Sequence, residues 1–348
     1  MVKPAEKTRA RVEKLTALLE GKKHLLIVMQ DNPDPDAIAS AVALRELAHK
    51  LSKVICSIAH SGTVGRAENR ALVRYLGLNL RFFEDIDLKQ FDLIGLVDTQ
   101  PRTGNNPLPE GAAADIVIDH HPYRRATSKA KLIDIRSGYG ATATILYEYL
   151  REAKITPDIT LATAIIYAIR SDTQDLGLEA SKADIEAIRE LYPLANKRML
   201  SQIQRGQVQR EYFQILAAGL HNAHIYGNCL ITGLGDIVIP DMIGEMADLM
   251  LRDDEVKWVM CYGYYDQKLL ISLRTSETGK RADKIVHQIV ARRGTGGGHD
   301  TIAGGRIDLK KGTKTEKEKL EKAIREKFLN ILGVEGNGGE HLIKKNGK

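Results

Sequence analysis

Short apolar runs that each end on an acidic or imidazole-bearing residue set the architecture of the first half of this chain. Residues 25–29 lead through Gln30 into Asn32-Pro33-Asp34-Pro35-Asp36, residues 93–97 end on Asp98-Thr99, and residues 116–118 end on Asp119-His120-His121. Residues 54–59 form a further run. Between the runs, Ile38, Ala41, Leu44, Ala48 and Leu51 recur at helical spacing, and residues 67–76 read as a second helix. Buried runs alternating with amphipathic helices call for a mostly parallel sheet with helices on both faces. The expected fold class is α/β, with an N-terminal doubly wound, mostly parallel sheet domain and a smaller α/β domain behind it. Ligands of such sheets collect at the carboxyl ends of the strands, so three of the segments converge there. A fourth, Ser171-Asp172-Thr173, closes the helical pattern of residues 159–170.

Helical spacing continues over residues 141–153 and 183–192. Residues 196–221 read as one long charged helix suited to a connector (Met199, Ile203, Tyr212, Leu216, Leu220). The pattern then changes. Residues 228–233 and 257–264 read as strands, the second turning through Tyr265-Asp266-Gln267 into residues 269–273 as a hairpin. A helix at 283–292, a glycine loop at 294–298, a strand near 305–307 and a closing helix at 315–332 follow. The expected organisation is a first domain over 1–195, a helical linker over 196–222, a second domain over 223–335 and a flexible tail over 336–348.

Composition narrows the possible roles. At 348 residues, with 43% hydrophobic and 28% charged residues, the chain has material for two ordinary globular cores. Aromatics are only 5%, sparse for a protein that stacks successive bases on aromatic platforms. A net charge of +6 suits a small anionic substrate and speaks against a long duplex tracked along a basic stripe. Cys56, Cys229 and Cys261 are too widely spaced for a disulfide framework or a Cys-x-x-Cys knuckle, which suits a reducing compartment. Val12, Leu15, Leu18 and Leu19 make the N-terminus a surface helix in place of a signal peptide, and no apolar run approaches the roughly 20 residues of a membrane span. The expected location is the cytoplasm.

A metal-assisted hydrolase needs hard anionic ligands for two divalent cations, and a bridging carboxylate that holds them about 3.5–4 Å apart so that one water is shared. Asp34, Asp36, Asp98 and Asp172 offer carboxylates, and His120 or His121 adds an imidazole. Such a set favours manganese or magnesium over structural zinc. Adjacent histidines at a strand end point to opposite sides, so one is placed for metal and its neighbour for substrate. Read alone, Asn-Pro-Asp-Pro-Asp also describes a turn and helix N-cap. A second constellation joins Ser272-Leu273-Arg274 with Gly296-Gly297-Gly298-His299. There, glycine backbone and a bidentate guanidinium can hold an anion.

Asn-Pro-Asp-Pro-Asp, Val-Asp-Thr, Asp-His-His-Pro and Ser-Asp-Thr, followed by Ser-Leu-Arg and Gly-Gly-Gly-His, resemble in order the DHH phosphoesterases of the RecJ-like superfamily with their DHH-associated C-terminal domain. The match spans residues 25–307 or so, and the branch it looks most like is that of nano-RNases and pAp-phosphatases. The resemblance implies a manganese-dependent phosphoesterase with two ions per site, magnesium or cobalt being substitutes. It would act on very short oligonucleotides or nucleotides, without membrane or long-duplex partners, as a homodimer. Carried over by motif, Asp34 would hold the first ion, Asp36 the second, and Asp98 would bridge them. His120 and Asp172 would complete the second position. His121 would contact the scissile phosphate, and Arg274, Gly296, Gly297, Gly298 and His299 would hold the rest of the substrate across an interdomain cleft. Family members usually have a His two residues before Asn-Pro-Asp, where this chain has Gln30, a poorer ligand that weakens the first position. Two alternatives accompany this reading: a pyrophosphatase or exopolyphosphatase of the same superfamily, and a nucleotide-binding protein whose catalysis is weakened by Gln30.

Overall fold

Alternate residues of the buried runs face two different cores, and that alternation organises the first unit. The computed structural model describes residues 4–177, 180–298, 300–336 and 338–343. It divides into two units between Gln207 and Val208. In the first, α1 (Pro4–Leu19), β1 (His24–Val28), α2 (Pro35–Ser52), β2 (Ile55–His60), α3 (Ala67–Tyr75), β3 (Arg81–Phe82), β4 (Leu93–Val97), β5 (Ile116–Asp119) and β6 (Leu132–Ile135) precede four helices. These are α4 (Thr142–Glu152), α5 (Ile159–Asp172), α6 (Lys182–Leu191) and α7 (Lys197–Gln204). The strands form an all-parallel sheet in the order β3-β2-β1-β4-β5-β6. This is a doubly wound order that reverses between β1 and β4, where such sheets bind ligands.

Leu25, Ile27, Ile58, Ile116 and Ile118 point into a core shared with α1 to α7. Leu26, Val28, Ala59, Leu96 and Val117 point to the other face. That face is wound differently from the expectation of helices on both sides: Phe83, Ile86, Leu88 and Leu108, from short 3₁₀ turns and loops, cover it. The β3-to-β4 and β4-to-β5 segments lack the 3.6-residue apolar period that builds an amphipathic helix.

The single helix expected over 196–221 is instead two, α7 and α8 (Arg210–Asn222), with non-helical chain between them. Asn196 caps α7, its Oδ1 accepting from Met199 N at 3.0 Å. Gly206 ends the helical run. A β-carbon there would lie 2.4 Å from the Ala67 carbonyl carbon, so the chain passes α3 at a distance only glycine permits.

In the second unit α8 leads to β7 (His224–Tyr226), β8 (Cys229–Asp236), α9 (Met242–Met250), β9 (Trp258–Tyr265), β10 (Lys268–Thr275), α10 (Ala282–Val290), β11 (Gly294–Gly298), β12 (Ile302–Asp308), α11 (Lys314–Leu332) and β13 (Glu340–His341). Their sheet runs β11-β12-β10-β9-β8-β7-β13 and is antiparallel except at β8 and β9. The α10 and α11 helices cover one face, α8 and α9 the other. Asp266 and Gln267, at φ +45 and +56, make the two-residue hairpin turn. Two expectations are corrected here. The glycine segment is a strand, paired residue for residue with β12, because its missing side chains let the backbones meet closely. The tail read as flexible contains β13, which pairs with β7 through Glu340 and His341. Residues 344–348 lie outside the described residues. No described helix is long and apolar enough to cross a membrane.

Gly206→Ala should lower the thermal midpoint of the first unit by roughly 2–8 °C, the equivalent of about 1–3 kcal/mol of overpacking. Gly111→Ala, with nothing within 4 Å of the added carbon, is the control that should leave it unchanged. Equal midpoints for both variants in a calorimetric scan would remove the close-approach explanation.

Candidate metal centre

Four strand or helix ends at one edge of the first sheet bring the acidic residues together. Asp34 caps α2, accepting from Ala37 N at 2.9 Å. Asp36, one turn into the same helix, is fully buried and faces the start of α4. There its carboxylate accepts from Thr142 N at 2.7 Å and Ala143 N at 2.8 Å. The α4 helix lacks a side-chain cap of its own, so Asp36 satisfies two of its open N–H groups and meets the positive end of its dipole.

Asp98 directly follows β4, is 1% exposed, and adopts φ +58, a left-handed conformation that aspartate tolerates better than most residues. Thr142 Oγ1 donates to its Oδ1 at 3.0 Å. The β5 strand ends at Asp119 and the chain bends, so the two histidines do not diverge as alternation along a strand would require. Their rings lie edge to face, 4.4 Å apart. His120 Nδ1 donates to the Tyr139 carbonyl at 3.1 Å. Because a carbonyl only accepts, the proton sits on Nδ1 and the Nε2 lone pair is available as a ligand. His120 Nε2 lies 3.6 Å from Asp98 Oδ1 and 3.5 Å from Asp172 Oδ2.

His121 Nδ1 is held by Asp119 Oδ1 at 2.8 Å. Gln100 secures that dyad: its Nε2 donates to Asp119 Oδ2 at 2.6 Å, and its Oε1 accepts from Arg124 N and Thr127 Oγ1. Thr142 and Gln100 are contributors that sequence reading passes over, since a lone Thr or Gln in a loop carries no pattern. The one available signal was that Gln100 lies two residues after Asp98.

Burial pushes the Asp98 carboxyl well above its ordinary pKa, and the charges of Asp36, Asp34, Asp172 and Asp119 push it further. Burial likewise raises Asp36, against the opposing effects of His120 and the two α4 N–H groups. At Asp119 burial acts upward too, but the hydrogen bond and charge of His121 outweigh it and hold the group low. His121 responds reciprocally: burial would lower it, while Asp119 raises it.

This is a set of like charges awaiting a cation. Among the described residues, Asp98 Oδ2 and His120 Nε2 are buried without a hydrogen-bond partner. Ligand atoms of Asp36, His120 and Asp172 lie within 4.8 Å of one another, as do those of Asp98, His120 and His121. Carboxylates with one imidazole fit a hard divalent ion such as manganese. Asp34 belongs to neither triad. Its Oδ2 accepts from Gln30 Nε2 at 2.7 Å, and Gln30 Oε1 in turn accepts from Asn105 at 3.3 Å. Gln30 is therefore a tether on Asp34.

In the second unit, Arg274 is the penultimate residue of β10 and is 8% exposed. Its guanidinium binds Asp248 and donates to Ser272 Oγ at 2.7 Å and the Leu273 carbonyl at 3.0 Å. Ala303 pairs with both Leu273 and Gly298, so Arg274 and the Gly296–Gly297–Gly298 strand share one end of that sheet. His299 lies outside the described residues.

Fold and cluster define a two-unit α/β protein whose first unit carries a candidate carboxylate–imidazole centre for divalent cations. Known proteins supply the family. The N-terminal domain model of the DHH family matches residues 24–169, and the DHHA1 domain model residues 226–330. An uncharacterized protein of Methanocaldococcus jannaschii, MJ1633, is 35% identical over 355 residues, spanning 96% of this chain and 72% of that protein. A probable manganese-dependent inorganic pyrophosphatase of Staphylococcus epidermidis is 29% identical over 168 residues, 47% of this chain and 53% of its own length. The crystal structure of an exopolyphosphatase-related protein from Bacteroides fragilis has the same fold, with a TM-score of 0.66 at 16% identity over 93% of this chain and 98% of that one. The chain belongs to the DHH family, with a DHHA1 domain as its second part.

The raised Asp98 and Asp36 carboxyls determine how metal-free stability varies with pH. A carboxyl whose folded pKa exceeds its unfolded value of about 3.9 binds a proton more readily in the fold, so its charge weakens the fold above the folded pKa and this penalty fades on acidification. Asp98→Asn should therefore raise the midpoint in EDTA at pH 8 by about 2–8 °C, with the gap to wild type narrowing towards pH 5. Manganese should stabilise the wild type far more than the variant. A variant no more stable than wild type at pH 8 in EDTA would show that the charges are not in conflict.

Proposed function

We propose that this protein is a metal-dependent phosphoesterase that hydrolyses phosphate esters of short oligonucleotides or nucleotides. The observation carrying this reading is the buried cluster in which Asp98 Oδ2 and His120 Nε2 have no hydrogen-bond partner and converge with Asp36 and Asp172. Divalent cations, once bound, supply Lewis-acid charge to phosphoryl oxygens and lower the pKa of water.

Asp36, Asp98, His120 and Asp172 would hold the metal, with manganese favoured over magnesium by the imidazole. Thr142 holds the Asp98 carboxylate in place through Oδ1. His121, oriented by Asp119 and biased towards its protonated form, meets the negative phosphate and offers it a proton. Arg274 and Gly296, Gly297 and Gly298 belong to the same proposal as contacts for the remainder of the substrate. So do action in the cytoplasm and assembly as a homodimer. Asp34, whose Oδ2 accepts from Gln30 Nε2, would hold the other cation, and that hydrogen bond would make its position the weaker of the two.

A pyrophosphatase is the second reading, favoured by the similarity to the probable manganese-dependent pyrophosphatase. A panel of diribonucleotides, 3′-phosphoadenosine 5′-phosphate, linear di-AMP and pyrophosphate, each with manganese, separates the two. The nucleotides should turn over, and Asp98→Asn should reduce kcat by at least about 10³-fold. Turnover of pyrophosphate alone would transfer the assignment to the second reading, and no turnover of any substrate would leave a binding protein.

Calorimetric titration of manganese into substrate-free protein should show one strong ion per chain. Gln30→His should bring in a second. Two equally tight ions in the wild type would contradict the role given to Gln30.

A further inference from the structure

Arg70 and Arg74 place two guanidinium groups one helical interval apart along α3. Positions four apart lie on one face of a helix and rise by about 6 Å. That step is comparable with the separation of successive phosphates in an extended single strand. Beside α3 lies α7, and the groove between them encloses about 600 Å³, in the range of small-ligand sites. Arg70, Arg74 and Arg205 line it together with Tyr75, Met199 and Ile203, and none of its lining residues is acidic. Arg74 and Arg205 are exposed. Arg70 donates to the Gly65 carbonyl through one nitrogen, which fixes its stem and leaves the other donors of its fork to a ligand.

The α3 helix, one wall of the groove, is fastened to the loop that carries Asp34. Asn69 on α3 donates to the Pro33 carbonyl at 3.2 Å, immediately before Asp34. Thr63 N donates to Asn32 Oδ1 at 2.8 Å.

We propose that Arg70, Arg74 and Arg205 form a phosphate track for a single-stranded oligonucleotide of a few residues whose terminal phosphate lies at the carboxylate–imidazole cluster. Tyr75 and Met199, both partly exposed, supply an apolar wall for a ribose or base, which a bare pyrophosphate could not use. This track deepens the phosphoesterase reading and rests on it for the position of the reacting phosphate. Its signature is a preference for substrates longer than a dinucleotide.

The test uses the full chain and the double variant Arg74→Glu/Arg205→Glu, neither position belonging to the cluster. Binding of a pentaribonucleotide is measured by calorimetry in EDTA, so the result does not depend on turnover. The wild type should bind, and the variant should bind at least about tenfold more weakly. The slope of log affinity against log salt should be shallower by about 1.4, from two lost contacts at about 0.7 each for single strands. With manganese, kcat/KM for the pentanucleotide should fall about tenfold while that for a dinucleotide stays within about twofold. Circular dichroism confirms folding, and Arg74→Gln/Arg205→Gln serves if the charge reversal unfolds the unit.

No pentanucleotide binding by wild type, equal binding by the variant, or equal loss for the dinucleotide overturns the track. So does displacement of the RNA by a pentaglutamate peptide as effectively as by RNA. Absent hydrolysis with intact, arginine-dependent binding would overturn the catalytic reading and leave the track standing.

Discussion

Placing several carboxylates at one buried edge is the constraint around which the first unit is built. Each buried charge must be compensated, and the chain does so with backbone dipoles and one imidazole. Asp36 illustrates the economy. Its carboxylate closes the open N-terminus of α4 through Thr142 and Ala143, so a residue of the candidate cation site also joins α2 to α4. Asp98 remains under-compensated, with one oxygen on Thr142 and the other without a partner. The fold stores electrostatic tension there that a bound cation would relieve, a trade of stability for function familiar in binding sites.

Around that point the supports form layers. Tyr139 sets the tautomer of His120, Asp119 orients His121, and Gln100 orients Asp119. Partners of this kind hold ligands in a usable direction and raise their basicity. The doubly wound strand order gives these groups a common address. It reverses between β1 and β4, so the loop carrying Asp34 and Asp36 and the residue Asp98 emerge side by side. The α3 helix is fastened to the same loop by the bond from Asn69 to the Pro33 carbonyl.

Much of the fold was legible because the buried strands are strongly patterned. The expected run at residues 93–97 coincides with β4, and the helical spacing from Ile38 to Leu51 falls within α2. The cluster was legible for a related reason: strand ends in a parallel sheet share an edge, so acidic residues at those ends must be neighbours. Less visible were elements whose cause lies elsewhere in the chain. The interruption between α7 and α8 reflects the approach of Gly206 to Ala67, and β11 is a strand because its glycines let it meet β12. The α9 helix, with three methionines in nine residues, went unread beside louder strand signals. The strand β13 exists only because β7 offers an edge.

By itself, the sequence determined the alternation of strand and helix, the residues at the carboxyl edge and the order in which they occur, since periodicity and local chemistry depend only on neighbours along the chain. The tertiary structure decided how those residues are used. It set the two histidine rings together instead of apart, gave Asp36 the end of α4, fastened Asp34 to Gln30 and enclosed Arg274 with Asp248. Those outcomes turn on contacts between segments distant in sequence, where burial and hydrogen-bond geometry select among partners that local pattern treats as equivalent.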